Sequence, residues 1–216
     1  MKLKNTLLIG TCLLASAMAS NAAVYQLINV QGGPGVDTLF ANNNGTLMGS
    51  GTVAIGYFGA GVTNDQVNTI EELVPLLASF TAVDTAVPGT STAFAGAGYL
   101  AEDPANTPAI LAGNPLLGRG VYVIATNASS LGAANLNSEF SVFFLRNISE
   151  DSPAENTYTG NPAGATVLIG TPGVFTGDAG FGQGDYATLQ MAVIPEPSAA
   201  LLGAVGALGL LRRRRN

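Results

Sequence analysis

The eight residues EFSVFFLR, at positions 139–146, decide the fold class. Their side chains alternate between the two faces of an extended chain, and one face carries Phe140, Val142 and Phe144. The other face is also largely apolar. A strand that is apolar on both sides is buried on both sides, so we expect this one inside a sheet with the Phe144 ring buried.

Similar short runs of β-branched and aromatic residues recur along the chain, separated by Gly, Pro and Asn. In the run GVYVIAT, Val121 and Val123 alternate with Tyr122 and Ile124, which is the period of a strand. The runs that we expect to form strands are residues 24–30, 52–58, 120–126, 139–146, 166–170 and 186–194.

One helical segment interrupts the strands. Thr69 and Glu72 have the spacing of a capping box, and apolar residues follow with helical period. Because Pro75 cannot donate an amide hydrogen bond, we expect a kink or break near Val74. The pattern therefore predicts an all-β fold: an antiparallel β-sandwich, jelly-roll-like, with one short helical segment.

The N-terminus has the three parts of a secretory signal peptide. Lys2 and Lys4 precede a short apolar core, and small residues follow it. We expect cleavage after Ala22, so that Ala23 becomes the first residue of the exported protein, with cleavage after Ala19 or Ala23 as the alternatives.

The C-terminus also has three parts. A short motif, Pro195-Glu196-Pro197, leads into an apolar run at 199–211. Thirteen helical residues span about 20 Å, against about 30 Å for the hydrocarbon core of a bilayer. We expect a single short membrane helix whose end is held in the cytoplasm by four arginines, namely Arg212, Arg213, Arg214 and Arg215.

This order of motif, short apolar helix and terminal arginine cluster resembles a PEP-CTERM sorting domain. The resemblance covers about residues 194–216. It implies a Gram-negative, biofilm-forming bacterium that makes exopolysaccharide, and an exosortase that recognises Pro195, Glu196 and Pro197. It also implies an intermediate anchored in the inner membrane and facing the periplasm, followed by release to the cell surface or beyond.

Three regions follow: a signal peptide at 1–22, an ectodomain at 23–192 and a sorting anchor at 193–216. The ectodomain holds thirteen acidic residues and only two basic ones, Arg119 and Arg146, so its net charge is −11. Such acidity argues against nucleic acid as a partner, because binding depends on neutralising phosphates. The expected partners are signal peptidase and the exosortase during maturation, the membrane, and polysaccharide.

The ectodomain contains no Cys, His, Lys or Trp. These absences exclude disulfides, zinc sites built on Cys or His, Ser-His-Asp catalysis and a Schiff-base lysine. We therefore expect no cofactor and no enzymatic activity. The leading hypothesis is a structural or interaction protein of the cell envelope or extracellular matrix.

Two acidic groups are calcium candidates, because hard cations take carboxylate and carbonyl oxygens. One is a glycine-rich stretch with Asp178 and Asp185. The other is the cluster Glu150, Asp151 and Glu155. A flexible hairpin loop is the favoured interpretation of the first stretch, and a solvated turn explains the second equally well, since no EF-hand order or nonapeptide repeat is present.

Two alternative functions remain open. A carbohydrate-binding module would need exposed aromatic rings, and its candidates are Tyr57, Tyr99, Tyr122 and Tyr158. A carboxylate-only glycosidase would need two acidic side chains facing each other across a cleft. Its nominal pairs are Glu102 with Asp103 and Glu150 with Asp151.

Overall fold

The computed structural model describes residues 23–30, 33–90, 96–103, 105–107, 110, 112–149 and 157–194. These ranges contain eleven strands, one α-helix and three 3-10 turns. The strands and helix are β1 (Ala23–Gln26), β2 (Thr38–Ala41), β3 (Thr52–Tyr57), α1 (Ile70–Leu76), β4 (Thr81–Ala86), β5 (Ala105–Thr107), β6 (Gly120–Thr126), β7 (Phe140–Asn147), β8 (Thr157–Thr159), β9 (Thr166–Ile169), β10 (Thr171–Asp178) and β11 (Gln183–Gln190).

The largest sheet has five antiparallel strands in the order β4-β3-β6-β7-β9. The segment at 139–146 forms β7, which pairs with β6 on one side and β9 on the other, so its predicted position inside a sheet is confirmed. Phe143 is fully buried. Phe144 is only partly buried, contrary to the expectation, because it lies in the outer half of β7 where exposure increases.

Two three-stranded sheets complete the fold, in the orders β5-β1-β8 and β10-β11-β2. Six of the eight strand pairs in the described ranges are antiparallel, as expected for most of the structure. The pairs β1–β8 and β2–β11 are parallel, which the sequence did not predict. Long connections separate these partners in the chain, and such connections permit parallel pairing.

The main core contains side chains from all three sheets. Tyr25 of β1, Phe40 of β2, Ile55 of β3, Phe143 of β7 and Leu189 of β11 all belong to one buried cluster. A second cluster covers the opposite face of the large sheet, where Ile70 and Leu73 of α1 pack with Tyr122, Ile124 and Val142. The five-stranded sheet is therefore apolar on both faces, which explains the composition of β6 and β7.

The helix begins as predicted. The Thr69 side chain accepts a hydrogen bond from the Glu72 amide, at 3.3 Å. The α-helix passes through Pro75 and ends at Leu76, and a 3-10 turn follows, so the break comes after Pro75 and not near Val74. Proline at position 75 removes a hydrogen bond to the carbonyl of Glu71, and Glu71 lies on an exposed turn where water can satisfy that group.

The predictions about both chain ends fall outside the described residues. The predicted signal peptide covers residues 1–22, and the motif Pro195-Glu196-Pro197 with its apolar run and arginines lies at 195–216. In the described ranges, the α-helix has seven residues, and no helix there could cross a membrane. The strand β1 begins at Ala23, the residue that follows the predicted cleavage site.

Candidate functional site

A cavity of about 310 Å³ opens beside the large sheet, where β3 and β6 meet the loops that follow and precede them. One wall is the chain after β3, residues 58–63, and the other is the chain before β6, residues 115–120. Among the residues that the structure describes, the lining includes one cation, Arg119, and no carboxylate. The volume lies at the lower end of the range typical of small-molecule sites.

Arg119 is held in place by main-chain oxygens. Its Nε donates to the carbonyl of Pro115 at 3.2 Å, and Nη1 donates to the carbonyl of Phe58 at 3.4 Å. The guanidinium carbon lies 5.9 Å from the centre of the Tyr57 ring, within cation–π range. No described carboxylate pairs with this arginine. A guanidinium has five N–H donors, so three remain available to a ligand.

Two aromatic rings form an apolar wall of the cavity. The rings of Phe58 and Tyr122 meet edge to face with centroids 5.2 Å apart. The Tyr122 hydroxyl donates to Oδ1 of Asn64 at 2.9 Å, which fixes the ring. A side chain at Gly120 would come within 2.7 Å of the Tyr122 ring, so glycine is required there for this arrangement.

Two smaller cavities offer less chemistry. One, of about 280 Å³, is lined by residues of β4 and by Ser129, Ser130 and Leu131. The other, of about 240 Å³, lies between the start of α1 and residues 168–170, and Glu71 is its one carboxylate. Neither has a basic residue in its lining.

The calcium candidates have ordinary structural roles where they are described. Asp178 ends β10, and its Oδ1 accepts from the amides of Gly180 at 2.8 Å and Gly182 at 3.1 Å. The Oδ1 of Asp185 accepts from Thr176 at 2.7 Å. The stretch is thus the turn of the β10–β11 hairpin. Within the described ranges, no group of three or more metal-ligating residues occurs. The cluster Glu150, Asp151 and Glu155 lies outside the described residues.

The predicted sugar-stacking row does not form. Tyr99, Tyr122 and Tyr158 are buried, and only Tyr57 of the four candidates is partly exposed. Tyr158 stacks on Tyr25 with ring centroids 4.8 Å apart. Alternation along a strand shows that residues share a face, but it does not show whether that face is covered by another sheet.

The nominal glycosidase pairs also gain no support. Glu102 and Asp103 are neighbours in the chain, and neither lines any of the three cavities described above. Glu150 and Asp151 lie outside the described residues. No cavity described above is lined by two carboxylates, which is what this chemistry requires.

A buried polar cluster joins β2 to the chain around Tyr99. The Tyr99 hydroxyl donates to Oδ2 of Asp37 at 3.0 Å, and the same oxygen accepts from the Gly33 amide at 3.0 Å. Asn29 Nδ2 donates to the carbonyl of Gly98 at 2.8 Å. Burial raises the pKa of the Tyr99 hydroxyl, and its hydrogen bond to Asp37 raises that pKa further. Because these groups satisfy one another, the cluster is structural.

Tyr99→Phe should change how stability depends on alkaline pH. In the wild type, the folded chain keeps the Tyr99 proton above about pH 10, where the unfolded chain releases it, so stability falls as pH rises beyond that value. The variant should be less stable at pH 8 by about 1 to 3 kcal/mol, and its stability should decline less steeply above pH 10.

Urea midpoints between pH 8 and 11.5 measure both effects. Some decline remains in the variant, because burial also raises the pKa of Tyr122. Tyr57→Phe, at a partly exposed ring, is the matched control and should barely move the midpoint at pH 8. Equal slopes for wild type and Tyr99→Phe would contradict the assignment.

The sequence did not point to the Arg119 cavity. In the sequence, Arg119 stands out only as part of the charge balance. The available signal was the rarity of cations between residues 23 and 192, where there are two. No protein-family model matches the chain, and neither a curated protein nor a solved structure matches it.

Proposed function

We propose that this chain is an exported structural or interaction protein of the cell envelope or extracellular matrix, sorted through a PEP-CTERM-type tail. The observation that carries the proposal is the order of three features at 194–216: Pro195-Glu196-Pro197, a short apolar run, and four terminal arginines. In this proposal signal peptidase and an exosortase process the chain. A membrane-anchored intermediate faces the periplasm, and the product reaches the cell surface in a biofilm-forming, exopolysaccharide-producing organism.

For the ectodomain we propose a jelly-roll-like β-sandwich. Its support is the main core, to which all three sheets contribute buried side chains such as Tyr25, Phe40 and Phe143. Two sheets packed face to face bury such a core between them. A sandwich of this kind presents loops and edges for contact with other molecules, without needing catalytic groups.

Binding of carbohydrate is the second candidate. The stacking row expected from the sequence is absent, since three of its four tyrosines are buried. The observation in favour is the cavity lined in part by Arg119, whose guanidinium also lies beside the partly exposed Tyr57 ring, a residue outside the cavity lining. The carboxylate-only glycosidase has no comparable support.

Export is tested at the N-terminus. Mass spectrometry of the protein recovered outside the cytoplasm should give a first residue within one or two positions of Ala23. The reason is the signal-peptide pattern before that residue. Recovery of protein that still carries residues 1–22 would contradict export by a cleaved signal.

A further inference from the structure

We infer that the cavity around Arg119 binds a carboxylate group on a small ligand, with the Arg119 guanidinium as its anchor. The inference goes beyond the proposed function and does not depend on how the chain is sorted. It rests on a cation that two hydrogen bonds hold at a cavity, that no carboxylate among the described residues pairs with, and that lies inside a strongly acidic domain.

The first argument is preorganisation. The hydrogen bonds from Nε to Pro115 and from Nη1 to Phe58 hold the guanidinium before any ligand arrives. Both acceptors are main-chain oxygens, so the backbone of the two loops sets the position of the guanidinium. No acceptor belongs to a mobile side chain. A ligand therefore loses little free energy in ordering the arginine.

The second argument is the shape of the remaining donors. Nε donates to the Pro115 carbonyl and Nη1 donates one hydrogen to the Phe58 carbonyl, so the second hydrogen of Nη1 and both hydrogens of Nη2 are left for a ligand. One remaining N–H of Nη1 and one of Nη2 match the two oxygens of one carboxylate. A lysine could not offer this planar fork.

The third argument is charge. The segment 23–192 carries a net charge of −11, so its overall field repels anions, and anion binding here has to be local. The cavity holds one positive charge, which balances a carboxylate. A phosphate dianion would leave an unbalanced negative charge, so the carboxylate is the better match.

The walls indicate the rest of the ligand. Phe58, Val62, Leu117 and Tyr122 supply apolar lining, and outside that lining the partly exposed Tyr57 ring lies beside the guanidinium. Such walls suit a compact body such as a sugar ring. The shared chemistry is the carboxylate, which a uronic acid and a simple organic acid both carry.

The test is a ligand-observed NMR titration of the full chain in non-ionic detergent at constant ionic strength. The probes are sodium glucuronate, glucose, sodium acetate and inorganic phosphate. Glucuronate should bind saturably, with a dissociation constant on the order of 1 mM. Tighter binding of glucuronate than acetate identifies a uronic acid, and equal binding identifies the carboxylate alone. Glucose or phosphate binding as tightly as glucuronate would overturn the inference, as would no saturable glucuronate binding.

Two variants test the anchor. Arg119→Gln should weaken glucuronate binding by about tenfold to a hundredfold, because a charge-assisted hydrogen bond is lost. Arg146→Gln makes the same change in net charge elsewhere, near Tyr158, and should leave the affinity unchanged. Equal affinity of Arg119→Gln and wild type would overturn the inference.

A third variant covers the case in which Arg119→Gln fails to fold. Ala60 is exposed at the rim of the cavity, so Ala60→Glu adds a competing carboxylate without removing either hydrogen bond of Arg119. It should weaken glucuronate binding at least tenfold. Ala163→Glu, at an exposed position outside the lining, is the matched control. Unchanged binding by Ala60→Glu would contradict the proposed site.

Discussion

Replacing Phe143 with alanine is expected to lower the free energy of unfolding by about 3 to 5 kcal/mol. The ring is fully buried in the main core, and its centroid lies 6.2 Å from that of Phe40. Its strand neighbours, Val123 and Val167, belong to the same core, so the cavity left by the substitution cannot be filled from solvent.

The neighbouring residue provides the matched control. Phe144 points to the other face and is partly buried, so Phe144→Ala should cost roughly 1 to 2 kcal/mol. Urea unfolding of the purified chain, followed by far-UV circular dichroism, measures both values. Equal losses of unfolding free energy at the two positions, or a loss at Phe143 below about 1 kcal/mol, would contradict this structure of β7. They would show that its two faces do not contribute to the two hydrophobic clusters in this way.

The second large effect is expected at the C-terminal motif. Changing Pro195, Glu196 and Pro197 to alanine should leave a chain that still inserts, because the apolar run and the arginines are intact. The tail should no longer be recognised, so the protein should accumulate uncut in the inner membrane and be lost from the cell surface.

A variant without the arginine cluster is the control for this effect, since its sorting should fail in a different way. Neutral replacements of the four arginines, Arg212 to Arg215, remove the positive charge that, under the sorting proposal, holds the end of a short span in the cytoplasm. The full-length chain should then leak outward instead of accumulating. If both variants behave identically, the motif and the arginines do not have separate roles.

The strands predicted from sequence are those with strong local signals. β6 and β7 combine β-branched or aromatic residues with regular alternation, and each occurs almost where the pattern places it. β10 has no such signal in the sequence, because Pro172, Gly173 and Gly177 interrupt any alternation. It lies at the edge of its sheet, where proline is tolerated.

Other features depend on contacts that no local pattern contains. β5 and β8 have three residues each, and they are strands only because they pair with β1. The Arg119 cavity needs two loops that are distant in the chain, since Arg119 and Phe58 are 61 residues apart. The tyrosines were misjudged for the same reason: the packing of other sheets decides which face is covered.

The most direct test of the proposed sorting is fractionation of cells that carry a tag in the ectodomain, with intact masses measured in each fraction. The wild-type protein should be found at the surface or outside, beginning near Ala23 and lacking the arginine cluster. The variant with alanine at Pro195, Glu196 and Pro197 should be found in the inner membrane with its C-terminus intact. If the variant is cut and released like the wild type, the motif is only a linker and the sorting proposal is wrong.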